Sequence, residues 1–307
     1  MSGQAREQEF FAEIRKLKKE RNAVILAHVY QPPEIQEIAD YVGDSLGLAR
    51  QAAGSGAEVI VFCGVHFMAE SAFILSPEKV VLLPEKNAGC PMADMITAAE
   101  LRRKKQELSG ATVVCYVNTS AEVKAESDIA CTSANAVQVV ESLPEDRPIL
   151  FVPDKNLGRY IASQTGREMF YWEGYCGTHN RLTGEDILKA RAEHPRALVL
   201  VHPECRPEVV ELADSVSSTT GMIRFAAESK AHEFIVATEM GILHQLHKQC
   251  PDKKFYLASD GLICPNMKMT TLEKVHRALV SLEPGVTVPE ETRERAKRCL
   301  ERMLAVT

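Results

Sequence analysis

The sequence predicts an α/β protein made of three homologous units, each an α/β/α sandwich with a parallel four-stranded sheet. Three cysteines, Cys90, Cys176 and Cys264, each follow a short apolar segment and a glycine-containing turn, at spacings of 86 and 88 residues. Longer segments superimpose without gaps when the chain is shifted by 88 and then by 86 residues, which indicates an internal repeat. Within each unit, short apolar runs alternate with helix-like runs, a pattern typical of parallel sheets covered on both faces.

The repeated segments begin at Ala27, Cys115 and Val201 and read AHVYQPPEIQEIADYVGDS, CYVNTSAEVKAESDIACTS and VHPECRPEVVELADSVSST. Each begins at the end of an apolar run rich in β-branched residues, which predicts a buried strand. Four rows of the alignment hold similar residues, called here the ring, glutamate, aspartate and hydroxyl rows. They are, in order, His28, Tyr116 and His202; Glu34, Glu122 and Glu208; Asp40, Asp128 and Asp214; and Ser45, Ser133 and Thr219.

A charged amphipathic helix is predicted over residues 4–20, and a last helix from about Pro289 to Leu304. Connecting helices follow the three cysteines, and Thr97 with Glu100, Thr183 with Asp186 and Thr270 with Glu273 predict capping boxes at their starts. The expected domains are 1–96, 97–182 and 183–282, with the C-terminal helix at 283–307 packing on the first.

Composition excludes several classes of protein. A formal net charge of −6 argues against nucleic-acid binding. No apolar run approaches the length of a membrane span, and the N-terminus lacks a signal-peptide core. We therefore expect a cytoplasmic protein with reduced cysteines, some of them metal ligands or core residues. The absence of a C-x-x-C pair disfavours a zinc knuckle or a thioredoxin motif.

Ligands of parallel sheets bind at the carboxyl ends of the strands. The ring row lies at the ends of the first strands. The hydroxyl row is expected to supply N-cap residues, and the helix ends behind it attract anions. If the units pack around a pseudo-three-fold axis, both rows and the three cysteines meet in one central cavity. Such a cavity suits a small, polyanionic ligand.

Three widely separated cysteines fit poorly to a structural zinc site, which takes four ligands with close pairs. They suit a [4Fe–4S] cluster in which one iron has no protein ligand. That iron can act as a Lewis acid in dehydration or condensation. The remaining cysteines are expected to be core or incidental thiols: Cys63, Cys115, Cys131, Cys205, Cys250 and Cys299.

Taken together, these residues resemble the quinolinate synthase family, iron–sulfur enzymes of de novo NAD biosynthesis. The resemblance covers nearly the whole chain. It rests on the cysteine spacings and on the segments AHVYQPPEIQ, GDSL, CYVNTS, HPEC, SSTTGM and ASDGLICPNMK.

The resemblance implies three α/β/α domains around an oxygen-sensitive [4Fe–4S] cluster bound by Cys90, Cys176 and Cys264. It implies condensation of iminoaspartate (iminosuccinate) with dihydroxyacetone phosphate to quinolinate, with loss of phosphate and two waters. It further implies a functional link to L-aspartate oxidase or aspartate dehydrogenase. Some members carry two more cysteines upstream of the third ligand. Ala258 and Gly261 occupy those positions here, so redox regulation through them is not expected.

The same resemblance also implies which residues of this chain form the site. The catalytic residues would be Tyr30 and Glu204, the main acid–base pair, with His28 and Tyr116. Substrate contacts would come from His28, Ser45, Tyr116, Val117, Asn118, Ser133, His202, Pro203, Glu204 and Thr219.

The residues leave alternatives open. The chain could be a cluster-based redox or iron sensor with an anion-binding cavity, or a clusterless sugar-phosphate-binding protein. The aspartate row is expected to serve turns or caps, and Asp44 is ambiguous between such a role and the site. His179 either approaches the cavity or does not, and Tyr30 either acts in catalysis or packs. We expect His244 and His247 to lie on a polar helix face rather than to bind metal.

Overall fold

The computed structural model describes residues 3–306 and contains twelve strands in three sheets. The predictions that begin at residue 1 or end at residue 307 therefore extend slightly outside the described residues. The strands are Ala23–His28 (β1), Tyr41–Gly43 (β2), Val59–Cys63 (β3), Val80–Leu82 (β4), Thr112–Tyr116 (β5), Ile129–Cys131 (β6), Ile149–Val152 (β7), Met169–Tyr171 (β8), Leu198–Val201 (β9), Ser215–Val216 (β10), Glu233–Ala237 (β11) and Lys254–Leu257 (β12).

Helices separate the strands and cover the sheets. They are Gly3–Glu20 (α1), Pro33–Ile38 (α2), Ser45–Gly54 (α3), His66–Leu75 (α4), Ala98–Glu107 (α5), Ala121–Ala125 (α6), Ala136–Glu141 (α7), Lys155–Thr165 (α8), Gly177–Asn180 (α9), Gly184–Glu193 (α10), Pro207–Val210 (α11), Thr219–Glu228 (α12), Ile242–Gln249 (α13), Leu272–Ser281 (α14) and Glu290–Ala305 (α15). Among the helices described over 3–306, none is both long and apolar enough to cross a membrane.

All three sheets have the same topology. Their strand orders are β2-β1-β3-β4, β6-β5-β7-β8 and β10-β9-β11-β12, and every pairing is parallel. The central strands are almost entirely buried, as expected for a sheet covered on both faces. The predicted α/β class with three parallel four-stranded sheets is confirmed.

The aspartate row joins the first two strands of every unit. In each case the carboxylate accepts the N–H of a residue in the first strand at 2.8 Å, and the aspartate N–H returns a bond to that residue's carbonyl. The row is therefore structural, but its side chains join two strands of a sheet rather than serving turns or caps as expected. The pairs are Asp40 with Ile25, Asp128 with Val113, and Asp214 with Val199.

The hydroxyl row does not supply N-caps, so that prediction was wrong. Ser45 and Thr219 are the first residues of α3 and α12, and the caps are Asp44 and Ser218, one position earlier. Each cap accepts the N–H of the third helical residue, at 2.9 and 3.2 Å respectively. Asp44 and Ser218 each have a side-chain oxygen that can accept a hydrogen bond and an extended backbone, and they therefore serve as the N-caps. Ser133 lies in the turn before α7.

Capping boxes at Thr97 and Thr183 are present as predicted. The one predicted at Thr270 was wrong, because α14 is capped by Thr271, whose side chain accepts the N–H of Lys274 at 3.3 Å. Thr270 and Thr271 have the same side chain, and the backbone geometry makes Thr271 the N-cap. The side-chain oxygen of Thr270 is buried without a partner.

Helix α15 packs on α6 and β6 of the second unit and on α4 of the first. Helix α1 packs on α14, so the first sheet is covered partly by a helix from late in the chain. The domain boundaries predicted from the sequence stay a prediction.

The first and third units touch backbone to backbone. A Cβ placed on Gly241 would lie 2.7 Å from backbone atoms of Tyr30. Beside this contact, the Gln36 side-chain amide donates to the carbonyls of Val29, Gln31 and Gly241 at 2.9, 2.8 and 3.0 Å. Glycine at 241 therefore permits the close approach that positions Tyr30.

We predict that Gly241→Ala destabilises the protein by about 1–3 kcal/mol, the usual cost of overpacking. Chemical or thermal unfolding would measure the change. Gly54→Ala is the matched control, since a Cβ there meets no atom within 4 Å and should leave stability unchanged or slightly raised. An unfolding midpoint for Gly241→Ala equal to that of the unsubstituted chain would contradict the assigned contact.

Candidate active site

One cavity of about 210 Å³ is lined by residues from all three units. It opens at the carboxyl ends of the strands, where parallel sheets present ligand-binding groups. Two predicted contact residues, Val117 and Pro203, are buried but do not line it. The predicted site residues that line it are His28, Tyr30, Ser45, Cys90, Tyr116, Asn118, Ser133, Cys176, His202, Glu204, Thr219 and Cys264.

The ring row meets at this cavity because each member ends or follows the first strand of its unit. Burial lowers the pKa of His28 to about 4 and that of His202 to about 3. Both imidazoles are consequently neutral at pH 7. Burial, followed by the charge of Glu204, raises the pKa of Tyr116 well above its ordinary value, so the phenol keeps its proton.

Glu204 is a buried carboxylate that lines the cavity, with 3% of its surface exposed. The Tyr116 hydroxyl donates to its Oε1 at 2.5 Å, and His179 Nδ1 lies 2.7 Å from its Oε2. Burial acts to raise the pKa of Glu204, but the neighbouring imidazoles of His179 and His202 and these hydrogen bonds outweigh burial and hold it below its usual range. Glu204 is therefore ionised at neutral pH.

A continuous hydrogen-bonded chain links Glu204 to Tyr30. The second ring nitrogen of His179, Nε2, lies 2.8 Å from the hydroxyl of Thr238, which lies 2.6 Å from the hydroxyl of Tyr30. With His179 donating from Nδ1 to Glu204, the Thr238 and Tyr30 hydroxyls can each donate toward His179 in turn. The arrangement can pass a proton between the two ends of the cavity.

From the sequence alone, it was undecided whether His179 approaches the cavity, and Thr238 was not identified. His179 is 2% exposed and takes part in both halves of the chain of hydrogen bonds. Thr238 comes directly after β11, and a polar residue immediately after a buried apolar strand was the available signal. By contrast, His244 pairs with Glu37 at 2.8 Å on an exposed face, as expected for a polar helix surface.

The three cysteines share one arrangement. Each sulfur accepts backbone N–H groups from the turn that follows it: Met92 and Ala93 for Cys90, His179 for Cys176, and Asn266 and Met267 for Cys264. Burial raises the pKa of all three thiols, that of Cys90 to about 12. The charge of a neighbouring cysteine adds to the shifts of Cys90 and Cys176.

This donor set fits a multi-iron cluster. Three close thiols with raised pKa values remain protonated unless a bound cation stabilises their thiolates, and the N–H groups around each sulfur are typical of cluster ligands. A second potential metal set, Cys176, His179 and Glu204, has ligand atoms within 4.8 Å of one another. In that set the imidazole and carboxylate are already bonded to each other. The other six cysteines are buried free thiols.

Two polar groups facing the cavity have no partner among the described residues. Oδ1 of Asn118 and Oγ1 of Thr219 are buried without a hydrogen bond. Buried polar atoms are normally satisfied. Both are therefore available to a ligand. Asp44 also lines the cavity, but its carboxylate caps α3.

The family model for Quinolinate synthetase A protein matches residues 12–305 of the chain. A quinolinate synthase of Desulforudis audaxviator is 60% identical to it, over 97% of this chain and 98% of the relative. The quinolinate synthase of Methanosarcina barkeri is 57% identical, with the same shares covered. That of Geobacter metallireducens is 57% identical over 96% of each chain.

The lowered pKa of His28 predicts how stability depends on pH. The unfolded chain binds the proton near pH 6.5 and the folded chain only near pH 4, so unfolding is favoured as the pH falls through this window. In the cluster-free protein, His28→Gln should remove about 2–3 kcal/mol of the stability lost between pH 6.5 and 4.

Urea unfolding at a series of pH values measures this dependence. His232→Gln, at an exposed histidine, is the control and should keep the pH dependence of the unsubstituted chain. If the stability of His28→Gln depended on pH as steeply as that of the control, the lowered pKa assigned to His28 would be refuted.

Proposed function

The chain belongs to the quinolinate synthase family, a family of enzymes, and on that premise we propose that it condenses iminoaspartate with dihydroxyacetone phosphate. The products would be quinolinate, phosphate and two waters. The observation that carries this proposal is the convergence of one cysteine from each unit with a buried acid–base network in a single cavity. Both substrates are small anions, the class of ligand that the cavity suits.

We assign Cys90, Cys176 and Cys264 as ligands of a [4Fe–4S] cluster. The raised pKa values of the thiols and the N–H donors around each sulfur support the assignment. When bound, such a cluster supplies an iron with an open position that acts as a Lewis acid. The Cys176, His179 and Glu204 set is less suitable because Glu204 and His179 are occupied by the hydrogen-bonded chain.

The substrate anions would be held at the hydroxyl row. The N-termini of α3 and α12 carry Ser45 and Thr219 and offer partial positive charge to a phosphate or carboxylate. Thr219 and Asn118 bring the unsatisfied oxygen atoms described above, and Ser133 adds a hydroxyl from the second unit. His28 and His202 are neutral donors, while substrate contacts from Val117 and Pro203 stay a prediction, because neither residue lines the cavity.

Glu204 and Tyr30 would divide the proton transfers. Condensation requires a base, and loss of water requires an acid at the leaving oxygen. Glu204 is ionised and accepts a proton, whereas Tyr30 is buried with a raised pKa and holds one. His179 and Thr238 connect the pair, so a proton taken up at Glu204 can be returned through Tyr30. Tyr116 fixes the Glu204 carboxylate.

Iminoaspartate would be supplied by L-aspartate oxidase or aspartate dehydrogenase, because an imine hydrolyses in water and must be used close to where it forms. All nine cysteines lie among the described residues as free thiols. That finding supports the predicted cytoplasmic location, where thiols stay reduced.

The decisive experiment is an anaerobic assay of quinolinate formation from oxaloacetate, ammonia and dihydroxyacetone phosphate. The reconstituted protein should be brown and active, and Cys264→Ala should lose both properties because one of three ligands is gone. Cys250→Ala, at a buried thiol outside the cavity, is the matched control and should keep them. A coloured protein without turnover would instead favour the sensor alternative, and a colourless, inactive one the sugar-phosphate-binding alternative.

Glu204→Gln should retain the visible absorbance of the cluster and lose about 10²–10⁴-fold in turnover, the usual contribution of a positioned acid–base group. The same assay and an absorbance spectrum test this. Glu208→Gln is the control, because Glu208 is exposed and pairs only with Arg206. Turnover of Glu204→Gln within a few-fold of Glu208→Gln would remove Glu204 from the mechanism.

A further inference from the structure

Two buried acidic side chains outside the predicted site hold the backbone of two of the three cysteines. Asp154 Oδ2 accepts the N–H of Cys176 at 3.2 Å, and Glu239 Oε1 accepts the N–H of Cys264 at 3.1 Å. Neither acid has any exposed surface. A fully buried carboxylate is costly unless it is bonded, so these positions call for an explanation.

The two acids occupy the same place in their units. Asp154 lies two residues after the end of β7, and Glu239 lies two residues after the end of β11. In the second and third units, the third strand is thus followed by an acid whose side chain bonds to the backbone of the cysteine that follows the fourth strand. In the first unit the equivalent residue is Val65, two residues after the end of β3. Valine has no acceptor and cannot make this bond.

The second carboxyl oxygen of each acid also accepts hydrogen bonds, which hold the side chain in place. Asp154 Oδ1 accepts the N–H groups of Asn156 and Leu157 at 2.8 and 2.9 Å, which caps α8. Glu239 Oε2 accepts the N–H of Gly241 at 2.7 Å, and Lys268 Nζ lies 2.9 Å from its Oε1. The acceptors are rigid, so each cysteine is positioned relative to its own sheet.

The loop of Cys90 is held differently. The carbonyl of Gly89 accepts the side-chain amide of Asn266 at 2.7 Å, and Asn266 follows Cys264 by two residues. The first cysteine is thus positioned through the loop of the third. In this way Glu239 supports two ligands, one directly and one through Asn266.

We propose that Asp154 and Glu239 are positioning residues for the metal centre, which hold Cys176 and Cys264 at the spacing a cluster requires. This inference rests on the proposed cluster. Residues that orient metal ligands typically change metal affinity by about 10–100-fold. Loss of either acid should therefore loosen a ligand without removing it.

The test compares cluster retention in Asp154→Ser and Glu239→Gln. Serine keeps α8 capped but is too short to reach Cys176, and glutamine has one acceptor oxygen where glutamate has two. After anaerobic reconstitution, iron per chain and the rate of bleaching by an iron chelator are measured. Both variants should bleach about 10-fold faster than the unsubstituted protein. The reduction potential of Glu239→Gln should also rise, because a negative charge near the cluster is lost.

Asp214→Asn is the matched control. It neutralises a carboxylate that accepts a backbone N–H, here that of Val199, at a place where no cysteine is positioned. It should bleach at the rate of the unsubstituted protein, and circular dichroism checks that every variant is folded. Equal bleaching in all proteins, or equally fast bleaching in Asp214→Asn, overturns the inference. Failure of the unsubstituted protein to take up iron would overturn the proposed cluster instead.

Discussion

The site depends on the burial of one negative charge. A carboxylate removed from water is tolerated only when donors surround it, and Glu204 of the third unit takes its donors from the second. Tyr116 comes from the end of β5 and His179 from α9. The ionised side chain therefore ties the second and third units together at the cavity. The same bonds that satisfy the charge also fix the side chains of Tyr116 and His179 in place.

A symmetric scaffold carries an asymmetric site. The three sheets share one strand order, and the aspartate row makes the same bond at the same length in each. Where the strands end, the copies differ: imidazole, phenol and imidazole in the ring row, and valine, aspartate and glutamate after the third strands. The bonds that hold each sheet depend on the backbone and on one repeated aspartate, so the repeat preserves them. Under the proposed function, two chemically different substrates would meet in one cavity, and this would account for the divergence of the strand ends.

The sequence predicted the features that recur in all three units and missed most of those that do not. Periodicity and the gap-free repeat predicted the sheets, the ring row and the three cysteines, because these features recur at fixed spacing. Caps at Asp44 and Ser218 were missed, since two neighbouring residues each carried an acceptor and local geometry decided between them. The contact of His179 with Thr238 joins positions 59 residues apart, which no local pattern encodes. Asp154 and Glu239 could have been found by extending the repeat alignment to the third strands.

One cysteine per unit has a consequence for how the chain matures. A cluster that needs all three thiols can be held only after every unit has folded and docked, since a chain with one unit disordered offers two ligands at most. Binding of the proposed cluster would then be coupled to the last step of folding, and the cluster would stabilise only the fully assembled form. Cofactor insertion would thus act as a checkpoint in biogenesis: chains that fail to assemble stay colourless and remain open to degradation.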